Sequence, residues 1–500
     1  MADLLSDPTT VDLFALAPEL SIVVAALLIL LVELGLHGSA KRFVNPIGLL
    51  GVLAALGFTF ALWADIGDGH RAAFGNAFVV DQYALLFKGL FLTVAVFVLL
   101  LSYRYFAEFR TYQGEYYVLL LGSFAGMMLM ASARDFVMLF VALEMVSIPG
   151  FVMAGLRKFD LRSNEGALKF FFIGVLSVAI LLFGLSIVYG LTGTTDLVGV
   201  AAALETTEQV PLLLAAVLFV IVGFGFKVSA VPFHFWAPDT YQGSPVPVTA
   251  FLSVASKAAG FAGLIQVAFI AFEPLADVWA PVIGVIAILT MTLGNLVAWQ
   301  QTNIVRLLAY SSIAHAGYML VPFGVVSPGD TGLNSMALRA VLVYLFAYAV
   351  MNTGAFAAVV AVTRSQPGRQ IADYAGLARR SPGLAAAMSV FLLSLGGVPP
   401  LVGLWAKFFV FSAAVEAGTA FGIALAVAVV INTVIAMFYY LSVVRTMWMD
   451  EPVVAEPVAP GKALGFAVGG LAVLTIGLFF GVNLFAAPAG LEALAALAGG

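Results

Sequence analysis

The sequence predicts an all-α membrane protein whose chain crosses the bilayer about fourteen times. Of its 500 residues, 63% are apolar and 10% are charged, and the mean hydropathy is +1.09. Average soluble domains carry about 25% charged residues. The apolar residues also fall in long runs rather than in short alternating segments. This composition excludes soluble enzymes, and it excludes disordered chains because those are poor in apolar residues.

Fourteen apolar runs are long enough for a membrane-spanning helix, which needs about 20 residues. The strands of a membrane β-barrel would instead be short and alternating. The predicted spans 1 to 14 lie at residues 16–36, 43–64, 79–102, 116–132, 135–155, 165–190, 211–237, 247–271, 279–299, 304–323, 337–363, 384–416, 420–447 and 463–485.

The distribution of basic residues predicts the orientation, because cytoplasmic loops collect Lys and Arg. With the N-terminus outside, the inside linkers hold fourteen basic residues: Lys41, Arg42, Arg104, Arg110, Arg157, Lys158, Arg162, Arg306, Arg364, Arg369, Arg379, Arg380, Arg445 and Lys462. The outside linkers hold three, namely Arg71, Arg134 and Arg339. Both termini are therefore predicted on the periplasmic side. The first ten residues lack the basic start of a signal peptide, so we expect the first span to be retained.

Several kinds of chemistry are absent from the sequence. With no cysteine, the chain has neither disulfides nor the thiolates that usually hold iron–sulfur clusters. It contains no GxxxxGK[ST] phosphate loop, no HExxH motif and no acid-rich metal cluster. A bis-histidine haem on His234 and His315 is conceivable but disfavoured. A net charge of −5 gives no reason to expect nucleic acid as a partner.

Charged residues inside the predicted spans carry the functional signal. Lys227, Lys257, Lys407 and Glu144 lie well within spans, and each costs at least about 2.5–3.5 kcal/mol near the bilayer centre. Two interpretations remain open: static ion pairs that hold helices together, or a proton relay. One acid against three lysines cannot form balanced pairs, which favours the relay. Lys88, Lys169 and Glu33 lie nearer to span ends, where Lys169 can reach the interface.

Two of these lysines lie beside interrupted helices. In span 7, Lys227 precedes Pro232 by five residues, and further prolines follow at Pro238, Pro245 and Pro247. Span 12, about 33 residues long, is predicted to break at Gly396, Gly397, Pro399 and Pro400, before Lys407. Proline removes a backbone donor, and irregular backbone is tolerated in membranes only where it is buried in protein or lines water. Paired discontinuous helices are typical of ion sites in transporters.

Weaker candidates surround these breaks. His234 lies within the span 7 break and His315 lies in the middle of span 10, and either could carry protons through water. Asp239 and Tyr241 follow the break towards the inner side and could line an uptake route. Small residues beside Lys257 (Gly260 and Gly263), and Gly477 with Gly481 in span 14, are predicted to allow close helix packing.

Three long motifs resemble the antiporter-like membrane subunits of respiratory complex I, and most closely the subunit N family, the counterpart of mitochondrial subunit 2. These motifs are VPFHFWAPDTYQGSPVPVTAFLSVASKAAG, NIVRLLAYSSIAHAGYML and DYAGLARRSPGLAAAMSVFLLSLGGVPPLVGLWAKF. The resemblance covers essentially the whole chain. It implies proton-transfer roles for Glu144, Lys227, Lys257 and Lys407. A lysine at position 407 suits subunit N, whereas a sister subunit has glutamate there.

The resemblance also implies an architecture and a setting. Spans 4–8 and 9–13 would form two inverted five-helix repeats, which gives segments 1–110, 111–275, 276–450 and 451–500. The chain would lie in a bacterial inner membrane beside sister antiporter-like subunits. FMN, iron–sulfur clusters and quinone would sit on partner subunits, with no cofactor or metal on this chain. One detail does not fit a simple repeat, because Lys227 precedes its prolines whereas Lys407 follows its own.

Two rival functions remain open from the sequence. A subunit of a multi-subunit Na⁺/H⁺ antiporter shares the lysines beside broken helices but needs no redox partner. A structural anchor would hold the same charges as static pairs.

Overall fold

The computed structural model describes residues 12–35, 43–67, 69–107, 113–206, 210–365, 369–452 and 456–483, and it is a bundle of long helices. The spans, numbered as predicted, are Ala17–Gly35, Val44–Ile66, Gln82–Ala107, Gln113–Ser132, Phe136–Ala154, Leu161–Thr192, Pro211–Val228 (7a) with Trp236–Gly243 (7b), Val246–Ala271, Ala276–Trp299, Ile304–Leu320, Thr331–Ser365, Pro382–Gly396 (12a) with Gly403–Glu416 (12b), Ala420–Met449 and Lys462–Phe480.

All fourteen predicted spans correspond to helices, with two corrections. Predicted span 7 ran to residue 237, but 7a ends at Val228 because the chain turns at Ser229, which has a left-handed φ of 60°. Span 11 begins at Thr331 rather than 337, since Asn334 and Ser335 are buried in the bundle instead of lying in a linker. Arg339, counted as a linker residue, therefore lies inside span 11.

Contacts between linkers sort them into two membrane faces. Strands β1 (Arg71–Ala73) and β2 (Phe78–Val80) form a hairpin between spans 2 and 3, and Phe78 pairs with Ala133 of the linker between spans 4 and 5. The linkers after spans 9 and 11 meet through Asn303 and Gln370. The first set belongs to the predicted outside and the second to the predicted inside. We call these sides the outer and inner face.

Burial places spans 8, 10 and 11 at the centre of the bundle. Span 8 is buried along its whole length, whereas spans 1, 2 and 14 bury less than a third of theirs. Close crossings explain the tight centre: a Cβ on Gly317 would lie 2.5 Å from the Met291 nitrogen, so glycine lets spans 9 and 10 touch. Gly477 makes no such packing contact within the described part of this chain, since no heavy atom there lies within 4 Å of a Cβ built on it.

Several short elements were not predicted, among them the hairpin and a short helix after span 6. The hairpin strands are three residues each, and helix Leu197–Thr206 has ten residues. A search for 20-residue apolar runs does not detect such short elements. The helix nevertheless has a clear apolar face, because Leu197, Val200 and Leu204 recur at helical spacing and are buried.

The predicted division into 1–110, 111–275, 276–450 and 451–500 stays a prediction. Both interrupted helices, spans 7 and 12, are the fourth of their predicted five-helix set. The short tail predicted after span 14 falls largely on residues 484–500, which lie outside the described residues, as do Lys41, Arg42, Arg110 and the N-terminal ten residues.

Candidate functional site

Lys227 lies in the last turn of 7a and is 2% exposed. Its amine donates a hydrogen bond to the Ser147 hydroxyl of span 5 at 2.9 Å. A helix C-terminus carries partial negative charge, so this position stabilises a cation. Span 8 leaves room for the lysine at Gly260, where a Cβ would lie 2.8 Å from the Lys227 Cγ. Gly260, predicted to permit packing, thus packs against the lysine itself.

Glu144 lies one helical turn before Ser147 on span 5 and is half-buried. Among the described residues, no basic nitrogen lies within 4 Å of its carboxylate, and one carboxylate oxygen is buried without a hydrogen-bond partner. The charges of Glu144 and Lys227 nevertheless interact. The acid is therefore placed to influence the lysine electrostatically without a fixed ion pair.

Lys257 lies at the centre of span 8, directly after a π-helical turn at Leu252–Ser256. Its buried amine donates to the Ser312 carbonyl oxygen at 2.7 Å and to the Ser312 hydroxyl at 2.5 Å. π-Helical turns are frequent at functional sites. His234, in the span 7 break, is 5% exposed and interacts electrostatically with Lys257. Lys227 and Val228, directly before the break, pack against Gly260 of span 8, so the structure brings the break and the middle of span 8 together.

His315 follows Ser312 by one turn of span 10 and is fully buried. Its Nδ1 lies 2.8 Å from the Tyr344 hydroxyl, and its Nε2 lies 3.1 Å from the Tyr440 hydroxyl. Tyr440 in turn lies 2.5 Å from the Ser311 hydroxyl. A hydroxyl can donate or accept, so either ring nitrogen can carry the proton. This hydroxyl–imidazole–hydroxyl chain can pass a proton between the two sides of the ring.

Lys407 lies on 12b and donates to the carbonyl oxygen of Gly396, the last residue of 12a, at 2.9 Å. Its amine also lies 5.0 Å from the centre of the Tyr318 ring. Gly397 has a φ of 91°, and a Cβ there would lie 3.1 Å from the Lys407 Cδ. The break predicted at Gly396, Gly397, Pro399 and Pro400 is confirmed. It exposes a helix C-terminus that the amine satisfies.

The placement of both lysines resolves the discrepancy in chain order. Lys227 comes from the last turn of 7a, and Lys407 reaches back from 12b to the last carbonyl of 12a. In both breaks the lysine therefore lies at the C-terminal end of the first half-helix. The equivalence is spatial rather than sequential.

Asp239 and Tyr241 lie on 7b. The Asp239 carboxylate accepts from Lys169 of span 6 and from Arg306 of span 10, both at 2.6 Å. A polar pocket of about 280 Å³ opens beside Asp239 at the inner face, lined by Arg162, Glu165, Gln242 and Gly243. Tyr241 is fully buried. Its hydroxyl makes no hydrogen bond of ordinary geometry with the described residues, although its neighbour is Ser312, the partner of Lys257.

Two buried ion pairs near the outer face were not predicted from the sequence. Lys88 pairs with Glu19 at 2.8 Å, and neither side chain is more than 6% exposed. Arg134, assigned to an outside linker, is buried and forms an ion pair with Asp81. Glu19 lies three residues inside the predicted start of span 1, so a count of acids near span ends finds it. Among the described residues, no group of three His, Asp or Glu side chains is placed to hold a metal ion.

Comparison with known proteins identifies the family. The family model described as "NADH:quinone oxidoreductase/Mrp antiporter, TM" matches residues 133–435, a range that contains all four proposed relay residues. NADH-quinone oxidoreductase subunit N of Dehalococcoides mccartyi is 40% identical over 479 residues, which cover 93% of this chain and 96% of that protein. Subunit N of Trichlorobacter lovleyi is 39% identical and covers 88% of each chain. The chain belongs to the NADH-quinone oxidoreductase subunit N family.

Solved structures agree with this family. A chain of respiratory complex I from Thermus thermophilus with bound aureothin has a TM-score of 0.78 at 31% identity, covering 95% of this chain and 99% of that one. A chain of the Mrp complex from Dietzia has a TM-score of 0.84 at 21% identity, covering 98% of each chain. At that identity the Mrp likeness shows a shared fold, an all-α polytopic membrane protein with breaks in spans 7 and 12.

Proposed function

We propose that this chain is a proton-translocating membrane subunit of an NADH:quinone oxidoreductase, respiratory complex I. NADH oxidation and quinone reduction take place on partner subunits that carry FMN, iron–sulfur clusters and the quinone site. The neighbours of this chain are other membrane subunits, including sister antiporter-like subunits. The setting is a bacterial inner membrane, with both termini on the periplasmic side.

The observation that supports this function best is the row of buried ionisable groups across the bundle. It leads from Glu144 and Lys227, through Lys257 on the last span of the first predicted repeat, to Lys407 in the second repeat. Charged groups inside a membrane are costly and typically mark ion pathways. On span 10, His315 lies one turn from Ser312, which binds the Lys257 amine, and one turn from Tyr318, whose ring lies 5.0 Å from the Lys407 amine. A static scaffold would not need three lysines that, among the residues the structure describes, have no carboxylate partner within 4 Å.

In this proposal each relay residue has one role. Glu144 is the modulating partner, because its carboxylate stabilises the protonated Lys227 amine by Coulomb attraction. Lys227 is the central carrier and Lys257 the link towards the second repeat. Lys407 is the terminal donor towards the outer side. His234 and His315, with water, complete the contacts between them, and the pocket at Asp239 and Tyr241 is the inner uptake route.

The energies are of the required order. Moving one charge against 100 mV costs about 2.3 kcal/mol. Two unit charges 4 Å apart interact by about 4 kcal/mol at an effective dielectric constant of about 20. Glu144 and Lys227 are further apart than 4 Å, so their interaction is smaller and comparable with the cost of transport. A movement of either group can therefore load or unload the amine.

The test uses the whole complex purified from cells in which the variant replaces the native gene. Lys227→Ala, and separately Glu144→Ala, should lower NADH:quinone turnover and linked proton uptake by about tenfold or more, the scale of a lost proton-transfer group. NADH oxidation by an artificial acceptor verifies that the redox subunits are assembled. The matched control is the double variant Glu19→Gln with Lys88→Met, which removes an equally buried charge pair outside the row.

Wild-type turnover in assembled Lys227→Ala complex would remove this residue from the mechanism. Loss of assembly in every neutral variant, with normal proton flux in what remains, would instead support the structural anchor. Sodium-dependent antiport without redox partners would support the alternative function, a subunit of a multi-subunit Na⁺/H⁺ antiporter. Co-migration with flavin and iron–sulfur proteins in mild detergent separates that alternative from complex I directly.

A further inference from the structure

A buried polar cluster lies between the middle of span 8 and the outer face. It consists of Asp81 before span 3, Arg134 in the linker between spans 4 and 5, and Gln266 on span 8, and we call it the outer cluster. The three residues are 1%, 6% and 0% exposed. The outer cluster joins the N-terminal helices to both ends of the first predicted repeat. It has no part in the row of lysines.

Arg134 is held on all sides. Its guanidinium donates to Asp81, to the Gln266 side-chain oxygen at 2.5 Å, and to the carbonyl oxygens of Ala133 at 3.0 Å and Ala131 at 3.4 Å. The Gln266 side-chain nitrogen donates to the Met130 carbonyl oxygen at 2.7 Å. A buried polar network with this degree of satisfaction is rigid. The positive charge is therefore fixed in place.

Span 8 connects this cluster to the proposed relay. Lys257 and Gln266 are nine residues apart, about 13 Å along a helix axis. The eight residues between them, AAGFAGLI, have no polar side chain. Tyr83 further closes this stretch, since its hydroxyl donates to the Ala262 carbonyl oxygen at 2.8 Å. Along span 8, the next polar side chain towards the outer face is thus the one that holds Arg134.

We propose that the outer cluster seals the first repeat against proton escape to the outer face. Arginine does not release its proton under cellular conditions, so it cannot serve as a relay step. A fixed guanidinium instead repels protons and cations that approach it. A proton on Lys227 or Lys257 is therefore kept from leaving beside span 8 and passes towards Lys407. This inference depends on the proposed function, whose relay supplies the protons to be retained.

The test measures passive proton leak in liposomes that contain the purified complex, with an imposed pH gradient and no NADH. The double variant Arg134→Gln with Asp81→Asn removes the fixed charge without leaving an unpaired one. We expect its leak to rise about tenfold, equivalent to about 1.4 kcal/mol of lost barrier. Protons pumped per NADH should fall, while NADH:quinone turnover should not. The Arg134→Lys complex, which keeps the positive charge, should have the same proton leak as the wild type.

The matched control is again Glu19→Gln with Lys88→Met, because this buried ion pair lies near the same face and joins span 1 to span 3. Its leak should equal that of the wild type. An equal rise in both double variants, or none in the Arg134 double variant, would overturn the seal.

Gln266→Glu provides a second route if the double variant fails to assemble. This nearly isosteric change places a second carboxylate beside Asp81 against Arg134, gives the outer cluster a net negative charge, and should also raise the leak. An assembled Gln266→Glu complex with the proton leak of the wild type overturns the seal. Adding Lys257→Met to a leaky variant separates the two proposals. The extra leak should disappear if protons reach the cluster from the relay, and if it persists the seal does not act on relay protons.

Discussion

Replacing Gly260 with alanine should disturb the proposed proton carrier without removing any ionisable group. The new Cβ would lie 2.8 Å from the Lys227 Cγ and 3.2 Å from both the Lys227 Cβ and the Val228 Cγ1. Ordinary contacts begin at 3.4 Å, so the lysine stem must move by about 0.6 Å. Overpacking of this kind costs about 1–3 kcal/mol.

The displacement acts on a hydrogen bond of 2.9 Å between the Lys227 amine and Ser147. Misplacement of a reacting group by about 1 Å can cost about a hundredfold in rate. A strain of about 1–3 kcal/mol that falls on the transfer step corresponds to a decrease of about five- to 150-fold. We therefore expect Gly260→Ala to lower NADH:quinone turnover within this range in assembled complex.

The matched control is Gly263→Ala, one turn further along span 8. Its Cβ would lie 2.6 Å from the Phe224 ring and would not touch Lys227. It should lower the thermal stability of the complex to a similar extent while sparing turnover. Equal turnover in the two assembled variants would refute the argument that the position of Lys227 limits proton transfer.

Three further predictions concern other contacts. His315→Phe breaks the hydroxyl–imidazole–hydroxyl chain and should lower proton uptake by about tenfold or more, measured beside NADH:quinone turnover; normal uptake would exclude this histidine. Lys88→Met alone leaves Glu19 buried and unpaired, so it should cost about 3–5 kcal/mol and reduce the amount of assembled complex, with recovery on adding Glu19→Gln. At the outer face, burial raises the pKa of Asp12, but hydrogen bonds from Arg71 and backbone amides outweigh it and bring this pKa below its usual 3.8. Because the folded pKa is the lower one, the stabilisation is present above about pH 4 and disappears as the pH falls through the folded pKa. Asp12→Asn should therefore speed proteolysis of the adjacent hairpin at pH 7, and this effect should shrink as the pH falls below about 4.

The sequence predicted much of the fold because the cost of placing a residue in a bilayer is local. Twenty apolar residues predict a span whatever their neighbours are, and the alternation of basic linkers agrees with the two sets of linkers that meet in the structure. The sequence also predicted the helix break at Gly397, since glycines and prolines interrupt helices. The start of span 11 could not be predicted in this way. Asn334 and Ser335 are polar, as linker residues are, and only the structure shows that they are buried.

The candidate site was predictable in its charged members but not in its connections. Charge and hydropathy alone isolate Glu144, Lys227, Lys257 and Lys407. Their hydrogen-bond partners lie far away in sequence: Ser147 is 80 residues from Lys227, and Ser312 is 55 residues from Lys257. Such contacts depend on how helices cross, which no single segment specifies.

The sequence by itself determined that this chain is a fourteen-span membrane protein with lysines beside two broken helices, because polarity and backbone chemistry act residue by residue. Only the tertiary structure decided that Lys227 and Lys407 both lie at a half-helix C-terminus, although they flank their prolines on opposite sides. It also decided that Arg134 faces Gln266 rather than water. Both results arise from packing between distant helices, where a buried charge is stable only beside a partner that the fold brings to it.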